Sequence, residues 1–579
     1  MIEQATVLDS RRLLGPSRLM DRAGAVLEFE FEASQSDQLI SRWAEGLDLM
    51  LAALGWSPAT PRILPRRDGA SLGFEAPADL LLTATEVNEW AWAHAVERAG
   101  GPAAEPRDAA RARISLLASE ERRPGLIPLE DAARSRNVAL YGDDDSVTIG
   151  MGSGSRTFAL DALPDAGAVD WSAVHDVPLA LVTGSNGKTT TVRLIAAILR
   201  ADGRHPGWSS TDGVMIEGER IAEGDYSGPE GARLVLRDQR IDAAVLETAR
   251  GGILRRGLAV TSADVAVITN IAADHFGEYG VHDLETLIDV KLAVARALGA
   301  DGLLVVNADD PLLAGKAAAA GKPLGWFAQD ADHPLLAAHR VNGGATAGVR
   351  AGRLVLSWHG AEHDLGAIAA MPLAAGGHSH FNIANLATAA LGAAGLGVEP
   401  ATIAALYARF GADPADNAGR LMRYELGGLN LIVDFAHNPA ALAGLVDFAQ
   451  HLRGGGRLAV LLGQAGNRED ADLARLATVA AAARPDLVVL KEMRSYLRGR
   501  DAGEIPAILR RALGEAGVAD AAIVEVEGED AAVRHALAWA RAGDVLMLAV
   551  HTPAGRTAAL ILIDRLRRQA WTAGQPLPA

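Results

Sequence analysis

Cysteine is absent from the 579 residues of this chain. A disulfide framework, a thiolate nucleophile and a cysteine-ligated zinc site are therefore excluded, and the composition is compatible with a reducing compartment. The chain also lacks an uncharged apolar run of the roughly 18–20 residues that a membrane span needs. Residues 1–5 lack the basic start and apolar stretch of a secretory signal. We therefore expect a cytoplasmic protein that does not enter a membrane.

Basic residues are also fewer than acidic residues. The chain has 55 Lys and Arg against 72 Asp and Glu, which gives a formal net charge of −17. This balance argues against a nucleic-acid backbone as the main partner. With 49% hydrophobic residues the chain can bury several cores, and its length predicts about three or four domains.

A glycine loop stands between an apolar run at 177–182 and a helix-like run at 192–199. Its sequence, from Gly184, is GSNGKTTT. In such a loop the backbone N–H groups surround phosphate oxygens, Lys188 supplies a positive charge and Thr189 offers a hydroxyl to magnesium. Val182 stands where the GxxxxGK[ST] pattern has its first glycine, so this is a shorter form of that loop. It predicts a site for a nucleoside triphosphate with Mg²⁺.

The pattern of apolar residues divides the chain into three parts. Residues 25–32 alternate like a strand, whereas 39–54 and 84–98 have helical spacing. Short apolar runs then alternate with helix-length segments, and they lie at 243–246, 265–269, 302–306, 429–433, 458–462, 487–490, 522–526 and 545–550. Trp90 and Trp92 lie two apart on a predicted helix, and we expect them to pack in a core rather than stack on a ligand.

We therefore predict an α/β protein of three domains. A small α+β N-terminal domain covers 1–168, and a central P-loop ATPase domain with a parallel sheet covers 169–415. A C-terminal Rossmann-like, doubly wound domain covers 416–579. Because the last sheet has no phosphate loop of its own, we expect it to bind substrate or to close over the nucleotide.

Three further residues are candidates for the chemistry. Glu247 and His275 follow predicted strands, so they should converge on the phosphate loop, where they could hold magnesium. Lys291 lies on a predicted helix. Taken singly, each also suits an ordinary role: a solvated strand end, a hydrogen-bonded histidine or an exposed lysine.

In order and spacing, Lys188, Glu247, His275 and Lys291 resemble the ATP, magnesium and lysine positions of the Mur ligase family. The resemblance extends through four more motifs, which are NADDP at 307–311, FNIAN at 381–385, Gly419-Arg420 and DFAHNP at 434–439. It implies ATP and Mg²⁺ as cofactors, with Asn382 at the adenine, Arg420 at the γ-phosphate and Lys291 as a carbamate that shares a second magnesium with His275. The implied ATP contacts are Gly184, Asn186, Gly187, Lys188, Thr189, Thr190, Asn382, Arg420 and Asp434, and the implied metal ligands are Thr189, Glu247, His275 and Lys291.

Within that family the chain is similar to the Mur-ligase half of cyanophycin synthetases. The motifs are DYSGP at 225–229, ETARGGILRRG at 247–257, LRGR at 497–500 and SRRLLGP at 10–16. The ATP-grasp domain that those enzymes place between the N-terminal and Mur-like parts has no counterpart here. The likeness implies an ATP-dependent, ADP-forming amide ligase that joins an amino acid or amine to a carboxylate on a peptide-like acceptor.

Two alternatives stay open. One is a folylpolyglutamate-like glutamate ligase, and the other is a non-catalytic nucleotide-binding subunit that works with a separate ATP-grasp ligase. A homo-oligomer is also open. Arg250, Arg255 and Arg256 follow Glu247, where they could form either a clamp for an anionic acceptor or a solvated basic loop. The other substrate candidates are His437, Asn438, Arg468, Glu469 and Arg498, with His551 as a weaker one.

Overall fold

The computed structural model describes residues 6–30, 36–66, 69–273 and 276–578. Two sequence expectations, the signal-free start at 1–5 and the metal ligand His275, lie outside these ranges. The described residues form four sheets. None of the helices among them is both apolar enough and long enough to cross a membrane.

The N-terminal part is an antiparallel sheet covered by helices. Its elements are β1 (Thr6–Leu13), β2 (Gly24–Glu30), α1 (Ser36–Leu54), β3 (Arg62–Arg66), β4 (Gly69–Glu75), α2 (Leu81–Arg98), α3 (Arg107–Glu121) and α4 (Leu126–Arg134). The strand order is β1-β2-β4-β3. Trp92 stacks on Phe29 with ring centroids 3.8 Å apart, and the indole N–H of Trp90 donates to the Glu105 carbonyl. Both tryptophans are buried in this core, as the sequence predicted.

A small three-stranded sheet follows, made of β5 (Leu140–Gly142), β6 (Ser146–Ile149) and β7 (Arg156–Ala159). It packs against the central part of the chain. The backbone N–H of Ser153 donates to the Ile241 carbonyl at 2.8 Å, and Arg237 Nη1 donates to Asp143 Oδ2 at 2.7 Å. The domain boundary at residue 168 stays a prediction.

The central part contains an eleven-stranded sheet in the order β11-β10-β9-β12-β8-β13-β14-β15-β16-β17-β18. Its strands are β8 (Leu179–Thr183), β9 (Pro206–Ser210), β10 (Gly213–Ile216), β11 (Glu219–Glu223), β12 (Ala243–Glu247), β13 (Ala263–Ile268), β14 (Leu298–Asn307), β15 (Leu324–Asp330), β16 (Ala345–Arg350), β17 (Arg353–Trp358) and β18 (Ala361–Ala367). Its helices are α5 (Lys188–Ala201), α6 (Pro229–Leu236), α7 (Arg250–Arg256), α8 (Leu284–Leu292), α9 (Pro311–Ala318), α10 (Pro334–Val341), α11 (His380–Gly395) and α12 (Pro400–Tyr407).

The seven strands from β9 to β16 in that order are parallel, which confirms the predicted parallel sheet. They are buried between α5, α11 and α12 on one face and α6 to α9 on the other. Antiparallel strands extend both ends of the sheet. The outermost strands are charged: β11 exposes Glu219 and Arg220, and β18 carries Glu362, which pairs with Arg350 of β16.

The C-terminal part is a six-stranded sheet in the order β19-β20-β24-β21-β22-β23. Its elements are β19 (Met422–Leu426), β20 (Leu429–Asp434), α13 (Pro439–Arg453), β21 (Leu458–Leu462), α14 (Asp470–Ala482), β22 (Leu487–Glu492), α15 (Glu504–Glu515), β23 (Ile523–Glu527), α16 (Glu529–Trp539), β24 (Val545–Ala549) and α17 (Pro553–Arg568). All strands but β19 are parallel. Helices α13 to α15 pack on one face, and α16 and α17 on the other. The doubly wound sheet predicted from the apolar runs is confirmed.

Candidate active site

A cleft of about 1430 Å³ lies where the three parts of the chain meet. Because parallel strands present their carboxyl ends at the same edge, the loops after β8, β12 and β13 all open into it. The cleft is lined by most of the predicted site residues, which are Gly184, Asn186, Gly187, Lys188, Thr189, Thr190, Glu247, Arg250, Arg255, Lys291, Asn382, Arg420, Asp434, His437, Arg468, Arg498 and His551.

The phosphate loop connects β8 to α5 and depends on two glycines with positive φ. At Gly184 (φ 143°) a Cβ atom would lie 1.9 Å from Thr269 Oγ1, and at Gly187 (φ 83°) it would lie 2.2 Å from Asn385 Oδ1. Neither position can accept a side chain. The hydroxyl of Thr269 donates to the Asn186 carbonyl at 2.6 Å, and α5 begins directly at Lys188. The loop is therefore fixed in place, with the N-terminus of a helix facing the cleft.

Glu247 stands at the end of β12, beside the phosphate loop, and is only 2% exposed. It accepts hydrogen bonds from Thr189 Oγ1 at 2.8 Å and from Thr211 Oγ1 at 2.7 Å. Lys188 Nζ lies 3.3 Å from the Ser185 carbonyl of its own loop. Hydroxyl and carboxylate oxygens are the donors that Mg²⁺ prefers, so Thr189 and Glu247 fit this ion. Among the described residues no three Asp, Glu or His side chains form a metal cluster.

Lys291 lies in the last turn of α8 and is 3% exposed. Its Nζ donates to the Gly184 carbonyl at 2.8 Å. The helix therefore runs beneath the phosphate loop, and the alternative of an exposed lysine is wrong.

The two asparagines of the FNIAN motif lie together on α11. Asn385 Nδ2 donates to Asn382 Oδ1 at 3.1 Å, and Asn382 Nδ2 donates to the Leu373 carbonyl at 3.3 Å. Both side chains are buried. Asn385 stands against Gly187, so the pair forms one wall beside the phosphate loop.

Arg420 lies in the linker between the central and C-terminal sheets. Its Nη2 is 3.5 Å from Thr189 Oγ1, and its guanidinium lies 4.6 Å from the centre of the Phe435 ring. Asp434 holds this linker, because its carboxylate accepts from the backbone N–H of Leu421 at 2.6 Å and of Ala436 at 2.7 Å. Burial raises the pKa of Asp434, although these N–H groups and Arg420 oppose the rise.

The C-terminal part contacts the phosphate loop directly through Asn438. Its Nδ2 donates to Asn186 Oδ1 at 2.9 Å, while its Oδ1 accepts from the Ala441 N–H and caps α13. Gln464 Nε2 donates to the His437 carbonyl at 3.0 Å. The loop after β20 is therefore fixed at both ends.

The candidate substrate residues are placed unequally. The basic segment after Glu247 is a short helix, α7, and not a loop. Arg250 is buried there and pairs with Glu278, while Arg255 is exposed in the cleft. Arg468 and Arg498 line the C-terminal side, whereas Asn438 and Glu469 are not among the described residues that line the cleft.

The N-terminal wall of the cleft was missed as a site by the sequence reasoning. Asp9, Ser10 and Arg11 of β1 line the cleft. The backbone after β1 is held by α7, since the N–H of Leu14 donates to the Arg256 carbonyl at 2.7 Å. The SRRLLGP motif was the only sequence feature that pointed to this wall. The spacing of apolar residues could not show that β1 lines the same cleft as the phosphate loop.

Asp212 and Arg556 were also missed. Asp212 follows β9 and Arg556 lies on α17, and both line the cleft. Arg556 Nη1 donates to Asp212 Oδ1 at 2.8 Å across 344 positions of sequence. No motif in the sequence pointed to either residue.

Comparison with known proteins agrees with this architecture. The model of the Mur ligase middle domain matches residues 182–393, and that of the Mur ligase glutamate ligase domain matches residues 419–550. A UDP-N-acetylmuramoyl-L-alanyl-D-glutamate--2,6-diaminopimelate ligase of Xanthomonas campestris pv. campestris is 31% identical over 379 residues, which cover 64% of this chain and 71% of that one. The chain belongs to the Mur ligase family.

Other relatives are similar over part of their length. The cyanophycin synthetase of Synechocystis sp. is 37% identical over 331 residues, or 57% of this chain and 37% of that one. A second, from Trichormus variabilis, is 34% identical over 64% of this chain and 41% of that one, so this Mur ligase family member spans about two fifths of these relatives. The solved structure of E. coli FolC in complex with DHPP and ADP is 21% identical, has a TM-score of 0.49, and is matched over 68% of this chain and 89% of that one.

Proposed function

We propose that this chain is an ATP-dependent, ADP-forming amide ligase that joins an amino acid or amine to the carboxylate of a peptide-like or cyanophycin-related acceptor. The observation that carries the proposal is the convergence of four side chains on one point of the cleft. Thr189 and Glu247 share a hydrogen bond at the mouth of the phosphate loop, Arg420 lies beside Thr189, and Lys188 lines the same cleft from the loop itself. The ligases among the relatives support the same reaction class.

The proposed reaction has two steps. An acceptor carboxylate oxygen attacks the γ-phosphorus of ATP, the bond to the β–γ bridging oxygen breaks, and ADP leaves with an acyl phosphate formed. The amine then attacks the acyl carbon, phosphate leaves, and the amine proton passes to solvent. Lys188 and Arg420 would neutralise the transferring phosphoryl group, which is the main protein contribution in such transfers. Mg²⁺, when bound by Thr189 and Glu247, would polarise the phosphate oxygens.

The substrates are proposed to occupy opposite ends of the cleft. Arg255 of α7 lines the cleft beside β1, and its exposed guanidinium group suits an acceptor with carboxylates. Arg468 and Arg498 lie on the C-terminal side, where the incoming amino acid would meet the acyl phosphate. The N-terminal part would then help to hold the acceptor.

A product screen tests this function. The purified chain is incubated with ATP, Mg²⁺, pooled amino acids and β-aspartyl peptides, and the products are identified by mass spectrometry. We expect ADP release together with one new amide. Addition of glutamate to a folate would favour the folylpolyglutamate-like alternative. ATP-dependent product formation only after an ATP-grasp ligase is added would favour the non-catalytic subunit.

The matched variant is Lys188→Ala, which removes a charge at the phosphate loop without opening a core. We expect it to fold normally and to lose ADP release, by at least about 100-fold. If a folded Lys188→Ala protein turns over nearly as fast as the unmodified chain, the assignment of the ATP site is wrong.

A further inference from the structure

Asp212 is surrounded by three arginines at the inner end of the cleft. Its carboxylate lies 2.8 Å from Arg193 Nη2, 2.8 Å from Arg556 Nη1 and 3.5 Å from Arg420 Nη2. The Asp212 side chain is only 10% exposed, and the arginine side chains are between 10% and 15% exposed. One carboxylate therefore faces three guanidinium groups with little access to water.

This cluster holds more positive charge than its carboxylate can neutralise. Burial alone would raise the pKa of Asp212, but the guanidinium groups of Arg420, Arg193 and Arg556 lower it to about 2. Burial, together with the charges of Arg420 and Arg556, lowers the pKa of Arg193 to about 10 despite the carboxylates of Asp212 and Glu247. Uncompensated charge away from water is costly, so the cluster favours the binding of an anion.

The three arginines come from three different elements. Arg193 lies on α5, one turn after the phosphate loop, Arg420 on the linker, and Arg556 on α17 of the C-terminal part. Arg556 reaches Asp212 across Gly419, where a Cβ atom would lie 2.6 Å from Arg556 Nη1. A side chain at Gly419 would therefore block Arg556.

The arginines also differ in what they face. Arg420 and Arg556 line the cleft together with Asp212. Arg193 turns toward the linker, where its Nη1 donates to the Ala418 carbonyl at 2.8 Å. Arg193 thus anchors Asp212 from behind, and Asp212 holds the other two guanidinium groups at the mouth of the phosphate loop.

We propose that Asp212 and Arg556 are positioning residues that aim Arg420 at the terminal phosphate of a nucleoside triphosphate, whose charge neutralises the cluster. This inference rests on the proposed ATP site and adds the partner through which the C-terminal part senses the nucleotide. A diphosphate has no terminal phosphate for Arg420 to contact beside Thr189, so the cluster selects for the triphosphate.

The test measures Kd for ADP and for a non-hydrolysable ATP analogue, both with Mg²⁺, by calorimetry. In Arg556→Gln we expect the ratio of the ADP Kd to the analogue Kd to fall about tenfold, because the charge-assisted contact of Arg420 with the terminal phosphate is lost. The ADP Kd should change less than about twofold. The matched control is Arg510→Gln. Arg510 lies on α15, pairs with Glu525 of β23 and is not among the described residues that line the cleft, so the ratio should not change.

Two further variants separate positioning from a structural effect. Arg556→Lys keeps the charge but loses the planar guanidinium that holds Asp212 beside Arg420, so its ratio should fall at least about threefold. If Arg556→Gln does not fold, Arg556→Lys alone tests the proposal. In an Asp212→Asn background, Arg556→Gln should have no further effect on the ratio, because the two residues act as a unit.

The outcomes distinguish this inference from the proposed function. Unchanged ratios in Arg556→Gln and Arg556→Lys, with nucleotide binding lost in Lys188→Ala, would overturn the role of Arg556 and leave the ATP site standing. If the Lys188→Ala protein still binds the analogue, the assignment of the nucleotide site itself would be contradicted.

Discussion

At the scale of single residues, Lys291 has the most specific expected chemistry. The Lys291 side chain is buried and donates to the Gly184 carbonyl. A carbamate formed on Nζ keeps one N–H, so it can retain this hydrogen bond while it offers anionic oxygens of the kind magnesium prefers. The observed position therefore suits the modified lysine that the family resemblance implies.

We predict that Lys291→Ala loses most ligase activity, on the order of 100-fold, and regains part of it when acetate is supplied. The measurement is ADP release with and without the added carboxylate. Lys316→Ala is the control, because Lys316 pairs with Asp289 at the surface of α9 and should stay fully active. Full activity of the unrescued Lys291→Ala protein would refute the role.

Asp176 gives a prediction about pH. It precedes β8 and accepts from the Ala139 N–H at 3.0 Å, and burial raises its pKa to about 6. The folded chain therefore holds this proton more tightly than the unfolded chain, and the stability from it is lost as pH rises through about 4 to 6. Asp176→Asn removes the buried charge, so it should be more stable than the unmodified chain at pH 8.

We expect this difference to be about 1–2 kcal/mol at pH 8, a few degrees in melting temperature, and to vanish near pH 4. Thermal unfolding at both pH values checks it. The exposed Asp161→Asn serves as the control and should melt like the unmodified chain at either pH. An Asp176→Asn protein that is less stable at pH 8 would contradict the burial argument.

At the scale of elements, predictability depended on burial. The parallel strands β20, β21, β22 and β24 of the C-terminal sheet are mainly apolar runs because helices cover both faces, so the sequence alone located them. The strands β11, β17 and β18 were not predicted, because they are partly exposed and their polar residues interrupt the pattern. The strand β10 was missed although it is apolar, since it is only four residues long. In the site, the loop at Gly184 and Glu247 could be predicted from strand ends. The pair of Asp212 and Arg556 could not, since nothing periodic links two residues of different sheets.

The loop between β24 and α17 depends on one buried ion pair. Lys491 is the penultimate residue of β22 and pairs with Glu529 at the start of α16. Lys491 Nζ also donates to the Ala549 carbonyl at 2.5 Å, and Glu529 accepts from the backbone N–H of His551 at 2.6 Å and of Thr552 at 2.9 Å. Each partner is almost fully enclosed.

We predict that Glu529→Gln destabilises the chain by about 3–5 kcal/mol, because it leaves a buried ammonium without a counter-charge. The double variant Lys491→Met with Glu529→Gln should recover part of that loss. Denaturant unfolding measures both. A single variant within about 1 kcal/mol of the unmodified chain would show that the pair is not needed for the fold.

At the scale of the whole molecule, the linker between the central and C-terminal sheets is the expected hinge. It contains Gly419 with φ 75° and Leu421 with φ 45°, and a residue other than glycine in that region is strained. The C-terminal sheet contacts the phosphate loop through Asn438. The linker thus joins two sheets of which only one carries a phosphate loop.

We predict that the C-terminal part closes over the central part when ATP binds, with Arg420 and Asp434 on either side of the hinge. Small-angle scattering should show a smaller radius of gyration with a non-hydrolysable ATP analogue than without it. The Lys188→Ala protein should show no such change. Identical profiles for the unmodified chain in the two conditions would count against the movement.

The two outermost strands of the central sheet have a consequence for how copies of the chain meet. An open sheet can recruit a strand from another molecule at either end. Here such growth would bring Glu219 and Glu223 of β11, or Glu362 and Asp364 of β18, against a second edge with an excess of acidic side chains. That barrier is electrostatic, and its range shrinks from roughly 10 Å at 0.1 M salt to about 3 Å at 1 M. Concentrated salt should therefore remove the protection against edge-to-edge pairing of two sheets, whereas dilute buffer preserves it.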